Sequence, residues 1–424
     1  MNMTYTTKHT DKSTVAVIGG GAAGMMAAIS AADNGASVVI IERNERCGRK
    51  LRITGKGRCN LTNDCTPAEL MQNVPTNPKF LFAALSHFDS ADTMALFESA
   101  GVPLKVERGR RVFPVSDRAT DIVDAMVRMC RERGVEIVCG RVSAIDTDDG
   151  RVTGVRVGDK QIEAGAVIIA TGGCSYKMTG SDGDGYCLAG AIGHSTVTPK
   201  PSLVPLTSKD RDCPAMQGLS LKNVALKVVD KTSGKTVYED FGEMMFTHFG
   251  MTGPMILSAS AHIKDVESGR YEAQIDLKPA LDEKMLDSRL LSDFSKFSNR
   301  DFANSLDELL PQKMIDVVIR RSGIDRRKKV NSITKEERRA LLEIIKRFSV
   351  SVSGFRPIDE AIVTAGGISV KEIDPKTMQS KLCRGLYFAG EVIDVDAYTG
   401  GYNLQIAFST GALAGANAAW SVND

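Results

Sequence analysis

The stretch Thr14-Val-Ala-Val-Ile-Gly-Gly-Gly-Ala-Ala-Gly24 passes from a short apolar run into a glycine-rich turn. The apolar run, Thr14–Ile18, is typical of a buried parallel strand. After the glycines, the alanine-rich segment Met25–Asn34 predicts a helix. Ser37–Ile41 predicts a second buried strand, and Glu42 stands at its end. Together these segments predict one strand–helix–strand unit.

The glycines of this turn have the spacing G-x-G-x-x-G. Gly19 permits a tight turn, Gly21 lets a pyrophosphate approach the backbone, and Gly24 lets the helix pack close to the strand. The helix N-terminus beyond this turn, which includes Ala22 and Ala23, offers backbone N–H groups to a phosphate. Glu42 follows Gly24 by eighteen residues, near the ~20 expected for an acid that binds the ribose. The unit predicts a dinucleotide site, but it does not choose between FAD and NAD.

The composition bounds the class of protein. With 424 residues, 42% hydrophobic and 25% charged, the chain predicts a large globular core, and its net charge of +2 gives no support to a nucleic-acid partner. Its nine cysteines include no C-x-x-C pair, which favours free thiols in a reducing compartment over disulfides or structural zinc. The sequence has no apolar signal segment and no run of ~18 apolar residues. We therefore expect a cytoplasmic protein with no metal site and no membrane span.

Further apolar patterns extend the nucleotide-binding domain. Val135–Val138 and Ala166–Ala170 are typical of buried strands, and Thr120–Arg133 predicts a helix. The alternation of apolar and polar residues in Arg151–Val157 predicts a half-exposed antiparallel strand in a hairpin. Near the C-terminus, Leu386–Ala389 repeats the buried-strand pattern, and a helix of small residues follows it.

Two other patterns interrupt this domain. From Thr196, short alternating segments flank a hairpin turn at Ser233-Gly-Lys235 and predict a small β domain. Leu281–Phe348 carries apolar residues at three- and four-residue spacing and predicts helices. We therefore divide the chain into a first part of the nucleotide-binding domain, a β insert, a helical insert and a second part of the domain: residues 1–195, 196–280, 281–349 and 350–424.

Several longer motifs resemble one flavoprotein family. They are Gly48–Asn63, Arg111–Thr120, Ala170–Gly173, Phe246–Pro254 and Ala365–Asn403. Over almost the whole chain the sequence resembles the HI0933-like flavoproteins, also called the BaiN/YhiN family. The resemblance implies an α/β fold: an FAD-binding Rossmann-like domain of the two-dinucleotide-fold type, with inserted β-barrel-like and helical subdomains. It also implies FAD as the cofactor.

Matching positions in the family motifs give the residues expected to bind FAD. In addition to the glycine turn, its two alanines and Glu42, they are Arg43, Lys50, Arg58, Cys59, Asn60, Val142, Gly172, Gly390, Glu391, Gly401, Tyr402, Asn403, Leu404 and Gln405. In such flavoproteins the helix after Gly401 points its N-terminus at the flavin, where its dipole would stabilise negative charge on the reduced ring.

Each of these functional interpretations has a structural alternative. The loop at Arg58–Asn60 either covers the flavin ring or the pyrophosphate or is only a packed turn, and we favour contact with FAD. Cys59 is interpreted as a small buried thiol, because no partner cysteine is near it in sequence. The segment Pro311–Arg347 carries 12 Lys and Arg against five acids, and we interpret it as a solvated helix face. Asp394 and Asp396 lack further ligands for a metal.

The motifs do not fix a catalytic acid or base. His248, Tyr398 and Tyr402 are candidate proton donors, each with a purely structural alternative: a histidine bonded within its loop, or a tyrosine packed beside the cofactor.

The reaction is predicted from the resemblance. The family includes a member that reduces conjugated double bonds of 3-oxo-Δ4,6 bile acids, and an aminoacetone oxidase. We predict an FAD-dependent ene-reductase that acts on CH–CH groups of 3-oxo-Δ4 or Δ4,6 steroid acids, small-molecule substrates. The chain has no second G-x-G-x-x-G at a strand–helix junction, so NAD(P)H is expected to bind only transiently. The alternatives are an amine oxidase that uses O₂ and an RNA-associated flavoprotein, for which the basic helices Arg320–Arg347 are the only support.

Overall fold

The computed structural model describes residues 11–264 and 266–423. Its strands are β1 (Thr14–Ile18), β2 (Ser37–Glu42), β3 (Thr62–Asn63), β4 (Leu104–Glu107), β5 (Arg111–Pro114), β6 (Glu136–Cys139), β7 (Val142–Asp148), β8 (Arg151–Val157), β9 (Lys160–Glu163), β10 (Ala166–Ile169), β11 (Thr196–Ser202), β12 (Leu206–Thr207), β13 (Ser220–Asp230), β14 (Lys235–Thr247), β15 (Gly250–Thr252), β16 (Tyr271–Asp276), β17 (Phe348–Val352), β18 (Gly354–Phe355), β19 (Val363–Ile368) and β20 (Leu386–Phe388).

The α-helices are α1 (Ala22–Asp33), α2 (Arg49–Ile53), α3 (Pro67–Met71), α4 (Phe82–His87), α5 (Ser90–Ser99), α6 (Ala119–Glu132), α7 (Asp184–Ala191), α8 (Asp212–Ala215), α9 (Pro254–Ser260), α10 (Glu283–Lys296), α11 (Gln312–Ser322), α12 (Lys335–Lys346) and α13 (Tyr402–Asn423).

These elements form two compact units. The first comprises the described residues of Met1–Ser202 and Ile358–Asp424, and the second is Leu203–Pro357. Two pieces of chain, far apart in sequence, thus build the first unit, and the second unit is inserted between them. The four-segment division made from the sequence stays a prediction, although its β and helical segments both contribute to the second unit.

The first unit is organised around a five-stranded parallel sheet in the order β20-β10-β1-β2-β6. Every residue of β1 is buried, as its continuous apolar pattern predicts for a central parallel strand. Val15 pairs with Val38 on β2 and with Ala166 on β10. The register therefore places the carboxyl ends of these three strands at one edge of the sheet, where ligands bind in open α/β folds.

Small residues bring helices α1 and α13 into close contact. A Cβ atom on Gly411 would lie 2.5 Å from the carbonyl oxygen of Ala23, and one on Gly415 would lie 2.2 Å from that of Ala27. The alanines and glycines that gave the C-terminal helix its pattern therefore serve helix–helix packing. This contact fixes the N-terminus of α13 relative to that of α1.

Three smaller sheets complete the first unit. They are the antiparallel sheets β3-β5-β4, β7-β8-β9 and β11-β19. Strand β8 has the bounds predicted from the alternating segment Arg151–Val157, and it pairs with its neighbours on both sides. The predicted antiparallel hairpin is confirmed.

The second unit has its own core. Its antiparallel sheet runs in the order β17-β16-β13-β14-β15-β12-β18, and the hairpin at Ser233–Lys235 joins β13 to β14 as predicted. Only Ser353 separates β17 from β18, so the two ends of this sheet order are adjacent in the chain. Apolar residues of α10–α12 pack in the same core as the sheet.

The α/β fold class predicted from the sequence, a Rossmann-like parallel-sheet domain with inserted β and helical parts, is confirmed. Across residues 11–264 and 266–423, no helix is both long enough and apolar enough to cross a membrane. The nine cysteines all lie in this described part, and each is a free thiol.

Candidate active site

The three glycines of the first turn occupy three different environments. Gly19 has φ +104°, in the left-handed region that favours glycine. A Cβ atom on Gly24 would lie 1.9 Å from the carbonyl oxygen of Gly19, so α1 approaches β1 too closely for any side chain. A Cβ atom on Gly21, in contrast, would meet no described atom within 4 Å. Open space therefore faces the backbone at the one glycine where a pyrophosphate is expected.

The N-terminus of α1 faces the same space. No side chain caps this helix at Gly21, and the first bond within it joins the N–H of Met25 to the carbonyl of Gly21 at 2.9 Å. The N–H groups of Ala22, Ala23 and Gly24 precede that bond and have no intrahelical acceptor. An anion placed here would accept hydrogen bonds from these N–H groups and would be stabilised by the positive end of the helix dipole.

Glu42 is buried at the end of β2 and is held by the backbone around it. Its Oε2 accepts the N–H of Gly20 at 2.7 Å, and its Oε1 accepts the backbone and side-chain N–H groups of Asn44 at 2.8 and 2.7 Å. A carboxylate offers about four acceptor positions. The structure uses three of them and leaves one open.

A glycine-rich acidic turn that the sequence analysis did not single out lies beside Arg43. Arg43 pairs with Asp182 at 2.5 Å and Asp184 at 3.2 Å, and Arg141 also pairs with Asp184. Burial raises the pKa of the Asp182 carboxyl. The hydrogen bond and charge of Arg43, with smaller effects from the Asp184 backbone and Arg141, lower it by more, so the net shift of the pKa is downward. Val142, the first residue of β7, directly follows Arg141. The only sequence signal for this turn was two glycines alternating with acids.

The loop before β3 has an unusual backbone. Gly55, Lys56, Gly57 and Cys59 all have φ between +57° and +83°, and such a conformation costs a non-glycine residue roughly 1–2 kcal/mol. Strained backbone of this kind is concentrated at functional sites. The buried Cys59 thiol has its pKa raised to about 12 by burial, so it stays protonated and is not a reactive thiolate.

Arg58 and Asn60, on either side of Cys59, differ in whether their side chains have partners within the protein. The Arg58 guanidinium pairs with Glu107 and Asp117 at 2.5 and 2.6 Å and lies over the ring of Phe113. The Oδ1 atom of Asn60 is buried and has no hydrogen-bond partner among the described residues. Arg58 is therefore already committed to protein carboxylates, whereas Asn60 has an open acceptor.

Predicted site residues that lie far apart in the sequence meet around Glu391. Lys50 Nζ lies 2.6 Å from Glu391 Oε2 and 2.7 Å from Ser175 Oγ. Glu391 Oε1 accepts the backbone N–H of Thr364 at 2.8 Å and lies 3.1 Å from Ser175 Oγ. The Thr364 hydroxyl accepts the N–H groups of Cys174 and Ser175. Lys50 and Glu391 are thus brought together, and the segment after Gly172 is tied to both.

Two glycines with positive φ directly precede the N-terminus of α13. Gly400 and Gly401 have φ +136° and +101°, and a Cβ atom on Gly401 would lie 2.2 Å from the carbonyl oxygen of Thr62. The side chain of Asn403 closes the preceding loop by hydrogen bonds to the backbone of Ala397 and Tyr398. The backbone of the 400–404 segment therefore stays close to β3.

Gln405, a predicted FAD residue, has its side chain fully used inside the protein. Its Oε1 accepts the hydroxyl groups of Thr62 and Thr93 at 2.6 and 2.8 Å, and its Nε2 donates to Ser409 and to the carbonyl of Phe88. All of these bonds are buried or partly buried. The side chain thus joins α13 to β3 and α5.

Substitution of Gln405 by leucine is expected to destabilise the protein by about 1–3 kcal/mol, because the buried Thr62 and Thr93 hydroxyls lose this acceptor and keep only Ser90 Oγ and the carbonyl of Asp89. Urea unfolding measures this change, and Gln161→Leu, at an exposed position of strand β9, is expected to stay within about 0.5 kcal/mol of wild type. A Gln405→Leu protein of normal stability that lost FAD would instead make the side chain a cofactor ligand.

The three candidate proton donors lie in different surroundings. Tyr402 is half-buried at the start of α13, and burial raises its pKa. Tyr398 donates its backbone N–H to the carbonyl of Asn73. His248 is exposed in the second unit, with its ring against Phe249 at 5.0 Å. Their catalytic roles stay predictions.

The basic segment of the second unit is largely paired with acids. Arg320 and Arg321 contact Asp212, and Lys346 contacts Asp276. The other ion pairs join Arg326 to Asp316, Lys328 to Glu337, Lys329 to Asp301 and Arg338 to Asp287. Seven of the twelve basic side chains thus have acidic partners, which agrees with a solvated helix face.

Comparison with known families matches residues 13–417 to the HI0933-like protein Rossmann domain. The chain belongs to this family. Its family and fold place it among the FAD-dependent oxidoreductases.

The sequence is 32% identical over 410 residues to the 3-dehydro-bile acid Δ4,6-reductase of Clostridium scindens, covering 96% of this chain and 98% of that one. It is 31% identical over 403 residues to the ribosomal RNA dihydrouridine synthase of Haemophilus influenzae, covering 93% and 95% of the two chains. Among solved structures, 3-ketosteroid-Δ4-(5α)-dehydrogenase from Rhodococcus jostii RHA1 aligns with a TM-score of 0.50 and 18% identity, covering 98% of this chain and 99% of that one. That likeness concerns the fold alone.

Proposed function

We propose that this protein is an FAD-dependent reductase of carbon–carbon double bonds conjugated with a carbonyl, that its substrate is a 3-oxo-Δ4 or Δ4,6 steroid acid, and that NAD(P)H is the reductant. The main support is full-length similarity to a bile-acid Δ4,6-reductase. A dinucleotide cradle in the first unit, with open space at Gly21, agrees with it.

The residues present fit FAD. The open backbone at Gly21 and the uncapped N-terminus of α1 suit a pyrophosphate, and the remaining acceptor position of Glu42 suits a ribose hydroxyl. The buried, unpartnered Oδ1 of Asn60 and the left-handed loop before it suit a polar ligand atom. Lys50 and Glu391 supply further polar contacts. When bound, FAD supplies the hydride that such a reduction needs.

The protein's own groups then have two tasks. Donors must hold the carbonyl oxygen of the substrate as negative charge develops on it. An acid must place a proton on the carbon next to that carbonyl. The N-terminus of α13, beside Gly400 and Gly401, offers dipole stabilisation of negative charge.

A uridine in ribosomal RNA is the second candidate substrate. Two relatives, from Haemophilus influenzae and Escherichia coli, are ribosomal RNA dihydrouridine synthases at 31% and 30% identity. The double bond of uracil that becomes saturated in dihydrouridine is also conjugated with a carbonyl, so the chemistry required is the same. The extensive pairing of basic residues in the second unit favours the small-molecule substrate.

The deciding experiment uses the yellow holoprotein reduced by NADH or NADPH under argon. It is mixed in parallel with a 3-oxo-Δ4,6 steroid acid and with ribosomal RNA that lacks dihydrouridine. Flavin reoxidation with loss of enone absorbance supports the steroid reductase. Reoxidation by RNA with formation of dihydrouridine would show that uridine in RNA, and not the steroid, is the substrate. Reoxidation only after air is admitted would overturn both substrates, and stoichiometric peroxide release during turnover with an amine would then identify an oxidase.

Replacement of the candidate donors tests their roles. The side chain that donates the proton is expected to be the one whose replacement, in Tyr398→Phe, Tyr402→Phe or His248→Gln, slows reoxidation of the reduced protein by the enone about 10²-fold. FAD content, measured by flavin absorbance against protein concentration, should stay at the wild-type ratio. Unchanged rates in all three variants would remove these residues from the mechanism.

A further inference from the structure

One β-hairpin of the first unit carries three arginines at its turn. Strands β4 and β5 pair antiparallel, and residues 108–110 join them. Arg108, Arg110 and Arg111 are all exposed. Like charges placed so close together repel one another unless an anion balances them. Residues 108–111, which we call the arginine turn, are therefore a concentrated positive charge at the surface.

Only one of these arginines has an acidic partner in the described part of the chain. Arg110 pairs with Glu69 at 3.0 Å. For Arg108 and Arg111, no described carboxylate lies within 4.0 Å of a side-chain nitrogen. The same is true of Lys56, which is exposed in the left-handed loop before β3. Among the described residues, these three cations therefore have no counter-charge.

The neighbouring acids are occupied by other residues. Glu107, the last residue of β4, pairs with Arg58 at 2.5 Å. Asp117, beyond the end of β5, pairs with Arg58 at 2.6 Å and with Lys105 at 2.7 Å. The basic segment of the second unit, in contrast, is largely paired with acids. The local acids thus leave the charge of the arginine turn unbalanced.

The guanidinium of Arg111 is held in place, but most of its donors are open. Its Nε donates to the carbonyl of Arg108 at 3.0 Å, and its Cζ lies 5.8 Å from the ring centroid of the buried Phe113. Its two terminal nitrogens make no hydrogen bond to any described residue. A guanidinium fixed at one end presents its remaining N–H donors as a fork that matches a carboxylate or a phosphate. The geometry of Arg111 therefore suits one anionic group.

The arginine turn adjoins two segments that are predicted to contact FAD. The Nδ2 atom of Asn63 donates to the carbonyl oxygens of Gly109 and Gly400, each at 3.0 Å, so one amide nitrogen bridges the turn and the start of α13. On its other side, the hairpin reaches the loop before β3, because a Cβ atom on Gly55 would lie 3.6 Å from Cε1 of Phe113. The open cations therefore lie at the rim of the candidate cofactor site.

We propose that the arginine turn, together with Lys56, binds the carboxylate of the substrate and thereby selects a steroid acid over an uncharged steroid. This proposal rests on the reductase function and the FAD site proposed above. The acid group of such a substrate lies at the opposite end of the molecule from the 3-oxo group, so we expect it at an exposed rim and not beside the reacting carbon. Three cations without acidic partners suffice for one anionic group, whereas an extended nucleic-acid interface neutralises about 6–10 phosphates.

The test compares a 3-oxo-Δ4 steroid acid with its methyl ester, which keeps the rings but has no charge. Each is titrated into the oxidised holoprotein, and the change in flavin absorbance gives its Kd without turnover. Wild type should bind the acid about 10²-fold more tightly than the ester. Arg108→Gln and Arg111→Gln should each weaken binding of the acid about tenfold and leave the ester unchanged, because each removes a charge-assisted hydrogen bond. Equal affinities of wild type for acid and ester would overturn the proposal.

Two controls separate ligand binding from folding. Arg151→Gln replaces an exposed arginine at the start of β8 that also has no acidic partner within 4.0 Å among the described residues, and it should bind both compounds as wild type does. Raised salt should weaken binding of the acid but not of the ester. An equal loss of affinity for acid and ester in the arginine-turn variants would show a structural role only and would overturn the assignment.

Other anions give different outcomes. If Arg111→Gln lost reduction by NADPH but not by NADH, and still bound the acid normally, the turn would bind the 2′-phosphate of the reductant, which would overturn the carboxylate. Retention of ribosomal RNA by wild type at low salt, lost in the same variant, would likewise assign the turn to a nucleic acid. If wild type neither bound nor reduced the acid or the ester, the proposed function would fail together with this proposal. If it bound and reduced both equally well, only this proposal would fail.

Discussion

Replacement of Gly21 by valine is expected to give a folded protein that does not retain FAD. The Gly21 backbone is extended, with φ −81° and ψ −169°, a conformation open to any residue. Its Cβ position meets no described atom within 4 Å, so the new side chain costs the fold little. It would fill the space in which a pyrophosphate must approach the backbone. The variant should purify colourless.

Two measurements check this expectation. Flavin absorbance of the purified variant gives FAD content, and a titration with added FAD should show an affinity at least about 10²-fold weaker, because a valine excludes the phosphate from its N–H donors. The urea midpoint should stay near that of FAD-stripped wild type. Gly190→Val, also in open space but on α7, should bind FAD normally. Full FAD content in Gly21→Val would remove this turn from the cofactor site.

The opposite result is expected three residues later. Gly24→Val should fail to fold or lose more than about 3 kcal/mol of stability, because its Cβ atom would lie 1.9 Å from the carbonyl oxygen of Gly19, and backbone must move to admit it. Soluble yield and urea unfolding measure this effect. A Gly24→Val protein with the wild-type midpoint would contradict the close packing of α1 on β1. The two substitutions introduce the same side chain, and the difference in expected result comes from what faces each glycine.

Local periodicity predicted several of the regular elements, although it gave none between Glu42 and Thr120. β1, β2, α6, β8, β10 and β20 begin and end within three residues of the predicted bounds. The pattern of each segment follows directly from the local structure that it adopts. A strand buried on both faces of a parallel sheet, for example, is apolar throughout. Helix α1 begins at Ala22, three residues before the predicted start, because its first turn consists of the glycine-rich segment itself.

Part of the candidate site lay outside any local pattern. The turn that holds Asp182 and Asp184 has no periodicity, and its relation to Arg43 and Arg141 arises only when β2 and β7 approach α7. Likewise, Gln405 matched a cofactor motif, but its amide is taken up by Thr62, Thr93 and Ser409. Such partners cannot be inferred from spacing, because they depend on the packing of separate elements.

The sequence by itself determined the strand–helix–strand unit, the glycine turn with its acid, and the family. The unit and the turn depend on residues within about one supersecondary unit, where chain geometry fixes neighbours, whereas the family depends on motifs spread over almost the whole chain. Only the tertiary structure decided that Lys50 meets Glu391, 341 residues away, and that Asp394 and Asp396 are buried with one open oxygen. The physical reason is that burial and the pairing of charges belong to the packed chain as a whole, and no local pattern encodes them.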